Sequence, residues 1–284
     1  MFLKANTTSN IVTSRFLTPL YPDTTSSCVR WYMYVENQAI LHVRTYAYGT
    51  LNPTILYTHI GSNGKQWKLA QTTVRSGAPY HVAFEGVLNN TVDILDSIAI
   101  DDVSIESGAC DAVGTCDFEN GLCGYQNLPA DFNWKRTSYN IEIISAPITD
   151  HTTNTRAGFY LFMDRLQSSG RKARIESELI PNDIRCVSFY YYIDGTQGAQ
   201  LNVYVRDPRS DTYKQLWSTD QAHGKYWVQQ EISVLRNMTV NGTSVFTVVY
   251  EAVSGQRTGG MKKKEDDLDR KSTRLNSSHD QISY

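Results

Sequence analysis

Six histidines (His42, His59, His81, His151, His223 and His279) and five cysteines (Cys28, Cys110, Cys116, Cys123 and Cys186) are the side chains of this 284-residue sequence with the widest chemical range. Histidines spaced as H-E-x-x-H would hold zinc on one helix face beside a glutamate base. None of the six stands in that pattern, and no cysteine sits in a phosphatase-like loop. Cys186 and His223 would suit a nucleophile and its activating base, but an unpaired structural cysteine is the stronger reading. Asp150-His151-Thr152 has the residue types of a pH switch. A turn capped by a side chain accounts for it more simply. The residues point to binding and not to an enzyme.

The chain is long enough for two domains of ordinary size, and at 40% hydrophobic each can bury a core. A formal charge of -2 offers no basic surplus for phosphate backbones or anionic lipid, so nucleic acid is a poor partner. The 18 Tyr, 9 Phe and 5 Trp, many set beside Val, Ile and Thr, suit pleated, half-buried surfaces. All-β is the expected class. No run reaches the roughly 18 to 20 apolar residues of a membrane helix, so the segment is not expected to insert in a bilayer directly. Its first residues also lack a signal-peptide core, which is uninformative if Met1 is not the true start. N-x-Ser/Thr acceptors at Asn6, Asn89, Asn237 and Asn241 favour the secretory route as glycosylation sites.

Positioning is set by an internal repeat, residues 14 to 87 against 173 to 253. Arg15-Phe16-Leu17-Thr18-Pro19-Leu20-Tyr21-Pro22 runs to Cys28 as Arg174-Ile175-Glu176-Ser177-Glu178-Leu179-Ile180-Pro181 runs to Cys186. Cys28-Val29-Arg30-Trp31-Tyr32-Met33-Tyr34 matches Cys186-Val187-Ser188-Phe189-Tyr190-Tyr191-Tyr192. Leu41, Val43 and Thr45 alternate as Leu201, Val203 and Val205 do, the period expected when one strand face is buried. Leu56-Tyr57 and Leu216-Trp217 each begin 11 residues before a tryptophan, Trp67 or Trp227. Val82 to Val87 corresponds to Val248 to Val253. Recurrence of Trp31, Phe189, Trp67 and Trp227 at equivalent places favours core packing over a sugar-stacking platform.

Between the copies stands Cys116-Asp117-Phe118-Glu119-Asn120-Gly121-Leu122-Cys123-Gly124-Tyr125, then Asp131-Phe132-Asn133-Trp134 and Gly158-Phe159-Tyr160-Leu161. These segments resemble the MAM domain, an extracellular module of meprins, neuropilins and receptor tyrosine phosphatases. The resemblance covers most of residues 14 to 255, and Asp96 to Ile105 is similar to the family's final strand. It implies two tandem jelly-roll-like antiparallel β-sandwiches. Residues 1–110 would be a domain lacking its N-terminal part, and 116–255 one lacking its C-terminal strand and fourth cysteine. Residues 256–284 are expected to be a disordered, non-native tail. The family's pairing of first with second and third with fourth cysteine implies bridges Cys116–Cys123 and Cys28–Cys110, with Cys186 unpaired by truncation. Family members hold a calcium or sodium ion among carboxylates; by resemblance the candidates are Asp101, Asp102, Glu119 and Asp131. Turn-capping or solvent-facing carboxylates are the simpler reading of these four, and no other cofactor is implied.

The function expected is extracellular adhesion or protein binding at a cell surface or in matrix, with a protein partner that includes another copy of the chain. An ancillary region that positions or dimerises an ectoenzyme is the alternative. A carbohydrate-binding sandwich is the third.

Overall fold

The computed structural model describes residues 2–4, 11–89, 96–139, 147–163, 170–181, 184, 186–194, 199–234, 245–255 and 272–276. It contains strands and no helix among these residues. Two compact units are formed: Met1–Asp111 with Pro208–Asp211, and Ala112–Asp207 with Thr212–Tyr284.

The first unit comprises β1 (Phe2–Lys4), β2 (Ile11–Leu17), β3 (Thr24–Glu36), β4 (Ile40–Ala47), β5 (Thr54–Ile60), β6 (Lys68–Ser76), β7 (Tyr80–Asn89) and β8 (Ser97–Ser107). One sheet runs β1-β8-β3-β6 and the other β2-β7-β4-β5, every ladder antiparallel. Along β3, alternate residues Val29, Trp31, Met33 and Val35 are fully buried, so one face of the strand is core throughout. Leu41 and Val43 of β4 and Val82 and Phe84 of β7 are likewise buried. The edge of Trp31 meets the rings of Tyr57 at 5.1 Å and Phe84 at 5.4 Å. Such edge-to-face contacts add about 0.5–1.5 kcal/mol each to the area buried.

The second unit comprises β9 (Gln126–Leu128), β10 (Lys135–Thr137), β11 (Tyr160–Met163), β12 (Lys172–Glu176), β13 (Ile180–Pro181), β14 (Cys186–Asp194), β15 (Gln200–Asp207), β16 (Thr212–Thr219), β17 (Val228–Ser233), β18 (Val245–Val253) and β19 (Ser272–Asn276). Its sheets run β10-β11-β19-β14-β17 and β16-β15-β18-β12-β9, with β13 also on β18. The ladder registers of the repeat coincide: Arg15 faces Glu85 as Arg174 faces Glu251, and Val43 faces Phe84 as Val203 faces Tyr250. The aromatic cluster recurs with Phe189 edge-on to Trp217 at 5.7 Å and Tyr250 at 5.2 Å.

Three features differ from the sequence reading. The tail expected to be disordered over 256–284 contains a strand at Ser272–Asn276, and the rest of that stretch lies outside the described residues. This strand fills the slot between β11 and β14 that β8 fills between β1 and β3, where two ladders would otherwise have no partner. The family-like core reading also fails for Trp67, which is 41% exposed and tilts against Tyr34 on the outer sheet face. Trp227 is partly covered instead, because its indole N–H donates to the Thr149 carbonyl at 3.0 Å and Tyr160 and Tyr192 flank it.

Buried charge is matched in both units. Burial alone would raise the Glu85 carboxyl; the hydrogen bond from Arg15 and the charge of Arg44, 2.8 Å away, outweigh it and hold Glu85 below the usual carboxylate range. Burial likewise opposes, and Arg174 at 2.6 Å overcomes, the shift at Glu251, which also accepts from Asn202.

Truncating Trp31 or Phe189 to Ala is expected to cost about 3–5 kcal/mol in its own unit, as removal of a central aromatic does. Chemical denaturation followed by near-ultraviolet circular dichroism would check this. His59 on β5 is buried, which holds its imidazole down to about 4, against an ordinary value near 6.5. The unfolded chain therefore binds the extra proton first, and stability falls as pH drops from about 6.5 to about 4, by roughly 3 kcal/mol for this group. Denaturation midpoints for the chain and His59→Leu should diverge in that window, with the histidine form losing more.

Candidate functional site

The structure bridges Cys28 to Cys110 and Cys116 to Cys123. The first bridge ties β3 to the residues that follow β8; the second closes a seven-residue step at the start of the second unit. Cys186 is a free, partly buried thiol, and burial followed by the nearby Glu231 pushes its pKa up. His223 shares a 2.8 Å hydrogen bond with the Tyr191 hydroxyl, five residues along β14. At strand rise this is roughly 16 Å from Cys186, so the nucleophile and base are not assembled.

Around the small bridge, the second unit builds a clasp. Phe118 and Cys123 adopt positive φ (64° and 48°), turning the loop back so that Phe118 is buried against Tyr125. Arg136 of β10 donates to the carbonyls of Phe118 and Glu119, and its guanidinium lies 3.5 Å over the Phe159 ring. Glu119 accepts from the Phe159 amide at 3.0 Å. Sequence reasoning did not single out Arg136, which stands beside Lys135 in a strand of three residues.

The loop that follows is organised by Asp150. Its carboxylate is buried and accepts from Thr153 N at 2.6 Å, the Thr153 hydroxyl at 2.7 Å and Thr155 N at 3.0 Å. This is the side-chain-capped turn, and the neighbouring His151 lies flat on Tyr190 with centroids 3.4 Å apart. Burial lowers the His151 pKa, and Asp150 only partly offsets it.

Three of the four candidate ion ligands, Asp101, Glu119 and Asp131, accept hydrogen bonds from backbone amides. Asp131 accepts from Lys172 N at 2.9 Å and from Arg171, fixing the start of β12. Asp101 and Asp102 are exposed on β8 at a bulge opposite Arg30 and Tyr32, where Asp101 accepts from the Asp102 amide and Asp102 has φ 48°. Glu119 serves Phe159 as described. Among the described residues no three His, Cys, Asp or Glu side chains come together to hold a metal ion. Of the glycosylation acceptors, Asn6, Asn237 and Asn241 lie outside the described residues, and Asn89 ends β7 opposite Ile11.

Sequence reasoning also passed over the β4–β5 turn. Thr50 braces it, its amide (3.1 Å) and hydroxyl (2.7 Å) both donating to the Ala47 carbonyl, and Gly49 supplies φ 79°. Tyr48 and Leu51, 78% and 100% exposed, stand on this fixed turn. Contiguous exposed apolar groups, unlike solitary ones, mark interaction surfaces.

Two disulfide-tied sandwiches in tandem, with an opening C-D-F-E-x-G-L-C loop clasped to the body, define the class. The MAM domain family (MAM domain, meprin/A5/mu) matches residues 1–111 and 116–266, and the chain belongs to that family. The second match extends past the boundary at 255 expected from the sequence. The chain is 27% identical to mouse MAM domain-containing protein 2 over 241 residues, 79% of this chain and 34% of that protein. It is 26% identical to mouse meprin A subunit beta over 208 residues, 67% of this chain and 28% of that one. It is 33% identical to chicken MAM domain-containing glycosylphosphatidylinositol anchor protein 1 over 155 residues, 50% of this chain and 15% of that one. The chain thus spans about a third or less of these relatives. Among solved structures, the CBM22-1-CBM22-2 tandem domain from Paenibacillus barcinonensis Xyn10C aligns over 97% of this chain and 91% of its own, at 12% identity and TM-score 0.37. The K2 cleaved adhesin domain of Lys-gingipain aligns over 58% and 97%, at 12% identity and TM-score 0.40. MAM domains are non-catalytic modules that mediate protein–protein interaction, and their relatives are extracellular or membrane-anchored. No helix among the described residues is long and apolar enough to cross a membrane.

Arg136→Gln is expected to open the clasp without unfolding the unit. The Phe159 amide should exchange with deuterium about tenfold faster or more, in line with about 1.5–3 kcal/mol for a hydrogen bond to a charged group. Amides in β15 and β18 should be unchanged, which hydrogen exchange with mass spectrometry resolves.

Proposed function

We propose that this chain is an extracellular protein-binding segment of the adhesion type, and that the β4–β5 turn of the first unit is part of its contact surface. The carrying observation is the pair Tyr48 and Leu51, exposed on a braced turn. Tyr contributes large contact area at small rotamer cost, and a neighbouring aliphatic group completes an anchor. The corresponding turn of the second repeat reads Pro208-Arg209-Ser210-Asp211, without either apolar group. Positions common to both copies report the shared fold, so a copy-specific pair is where selective contact belongs. Tandem units on one chain add avidity when each engages a partner array. The partner proposed is a protein at a cell surface or in matrix, another copy of the chain being one such protein. Disulfides suit an oxidising compartment.

A second reading, an accessory region that positions or dimerises an ectoenzyme, is supported by the likeness to meprin A subunit beta over two thirds of the chain.

Beads coated with the glycosylated chain should aggregate with one another or capture on cells or matrix. The double variant Tyr48→Ser, Leu51→Ser should lower that by tenfold or more, since each anchor is worth about 1–2 kcal/mol, while its unfolding curve stays in place. Absence of all bead, cell and matrix binding by the unaltered chain would remove the adhesion reading.

A further inference from the structure

The outer face of the sheet β2-β7-β4-β5 combines charge with bare apolar groups. Leu41 and Val43 of β4 point into the core, so His42, Arg44 and Tyr46 point away from it. The ladders lay two neighbouring rows across this face. One runs Arg15, Glu85, His42, Thr58, and the next Leu17, Ala83, Arg44, Ile55. Leu17 and Ile55 are 50% and 52% exposed, so an apolar group stands bare at each end of the second row, with the Arg44 cation between them.

One carboxylate holds two guanidiniums here. Glu85 takes Arg15 on one oxygen, through Nε at 2.9 Å and through Nη2, and Arg44 Nη2 on the other at 2.8 Å. Its charge offsets one cation and leaves the other. Arg15 also lies over the Tyr46 ring, 5.3 Å from the centroid, and His42 shares a 2.9 Å hydrogen bond with the Thr58 hydroxyl. Side chains fixed in this way lose little freedom when a ligand arrives. Arg44 Nε is buried without an acceptor, which leaves this guanidinium under-satisfied, and its planar fork matches a carboxylate.

The second unit repeats the frame and changes the occupants. Arg174 and Glu251 stand where Arg15 and Glu85 do, but the next row reads Glu176, Val249, Tyr204, Gln215. Both apolar ends and the cation are replaced. Arg174 has β9 alongside it and its side chain is still 33% exposed, so the shared arginine position meets solvent even with a further strand beside it.

Leu17 and Ile55 lie three strand spacings apart, roughly 14 Å. An extended peptide covers about the same distance between its first and fifth residues, and the first, third and fifth side chains point one way. A carboxylate set between two apolar side chains fits this row. A sulfated sugar brings anions without apolar side chains and would leave Leu17 and Ile55 uncovered.

We propose that this row docks an extended segment of a protein partner with the pattern apolar-x-acidic-x-apolar, its carboxylate on Arg44 beside Arg15 and its apolar groups on Leu17 and Ile55. This goes beyond the adhesion reading and uses neither Tyr48 nor Leu51, so either can fail alone.

The test is nuclear magnetic resonance of the full chain, labelled at arginine side-chain nitrogens and isoleucine methyls and titrated with the capped peptide Leu-Ser-Glu-Ser-Leu. The result expected is saturable shifts at Arg15, Arg44 and Ile55 with Arg174 unmoved. Binding should weaken tenfold or more when Gln replaces the peptide Glu, as loss of a charged hydrogen bond does, and should weaken as salt is raised. Arg44→Gln should cost the same factor; the Gln peptide tests the same point on the unaltered chain should that variant fold poorly. No shifts at millimolar peptide, equal affinity for the Gln peptide, or shifts as large at Arg174 would each overturn the proposal. Tighter binding of a heparin fragment at the same residues would put a sulfated glycan in the site and overturn the assignment to a protein.

Discussion

A sandwich of two sheets holds only while something large and rigid fastens their inner faces, and in each unit this is a cluster of three aromatic rings. Trp31 sets its edge against Tyr57 and Phe84; Phe189 does the same against Trp217 and Tyr250. The identities differ at all three places, yet the ring separations agree within an ångström. Geometry is kept and chemistry drifts, as expected where the requirement is a filled volume with edge-to-face contact. Strand register follows from it, because a slip of one residue on β3 or β14 would move the central ring to the solvent face.

Much of this was legible in the chain. The alternation of Val29, Trp31, Met33 and Val35 announces a strand with one core face, and equal spacing in the two copies announces one architecture used twice. Spacing does not reveal which aromatics lie inside. Trp67 and Trp227 occupy matched positions, and both belong to the outer face; what separates them is the Asp150 loop, which lies over Trp227 and has no counterpart among the described residues of the first unit. Burial there depends on a segment distant in sequence, so local pattern carries no trace of it. The strand at Ser272–Asn276 was equally hidden, for a sequence without alternation is placed by the vacancy between two ladders and not by its own propensity.

The candidate site was less legible than the fold. The cysteine opening marks the loop of the clasp; within it Glu119, a candidate ion ligand by resemblance, receives the Phe159 amide, and Asp131 fixes the start of β12. A carboxylate in sequence does not say whether its partner is a cation or a backbone N–H. Arg136 and the Tyr48–Leu51 turn were passed over because their roles arise from contacts across sheets or from exposure, neither of which is written in spacing.

The two bridges enclose very different lengths, 82 residues in one case and 7 in the other. Under tension along the backbone, as between two surfaces held together, everything between Cys28 and Cys110 is bypassed by the covalent link. Roughly 280 Å of contour, at about 3.4 Å per extended residue, cannot be paid out from the first unit however hard it is pulled. The first unit can therefore lengthen under load only through the residues ahead of Cys28 and behind Cys110, and the strands β3 to β8 keep their surface presented while it does.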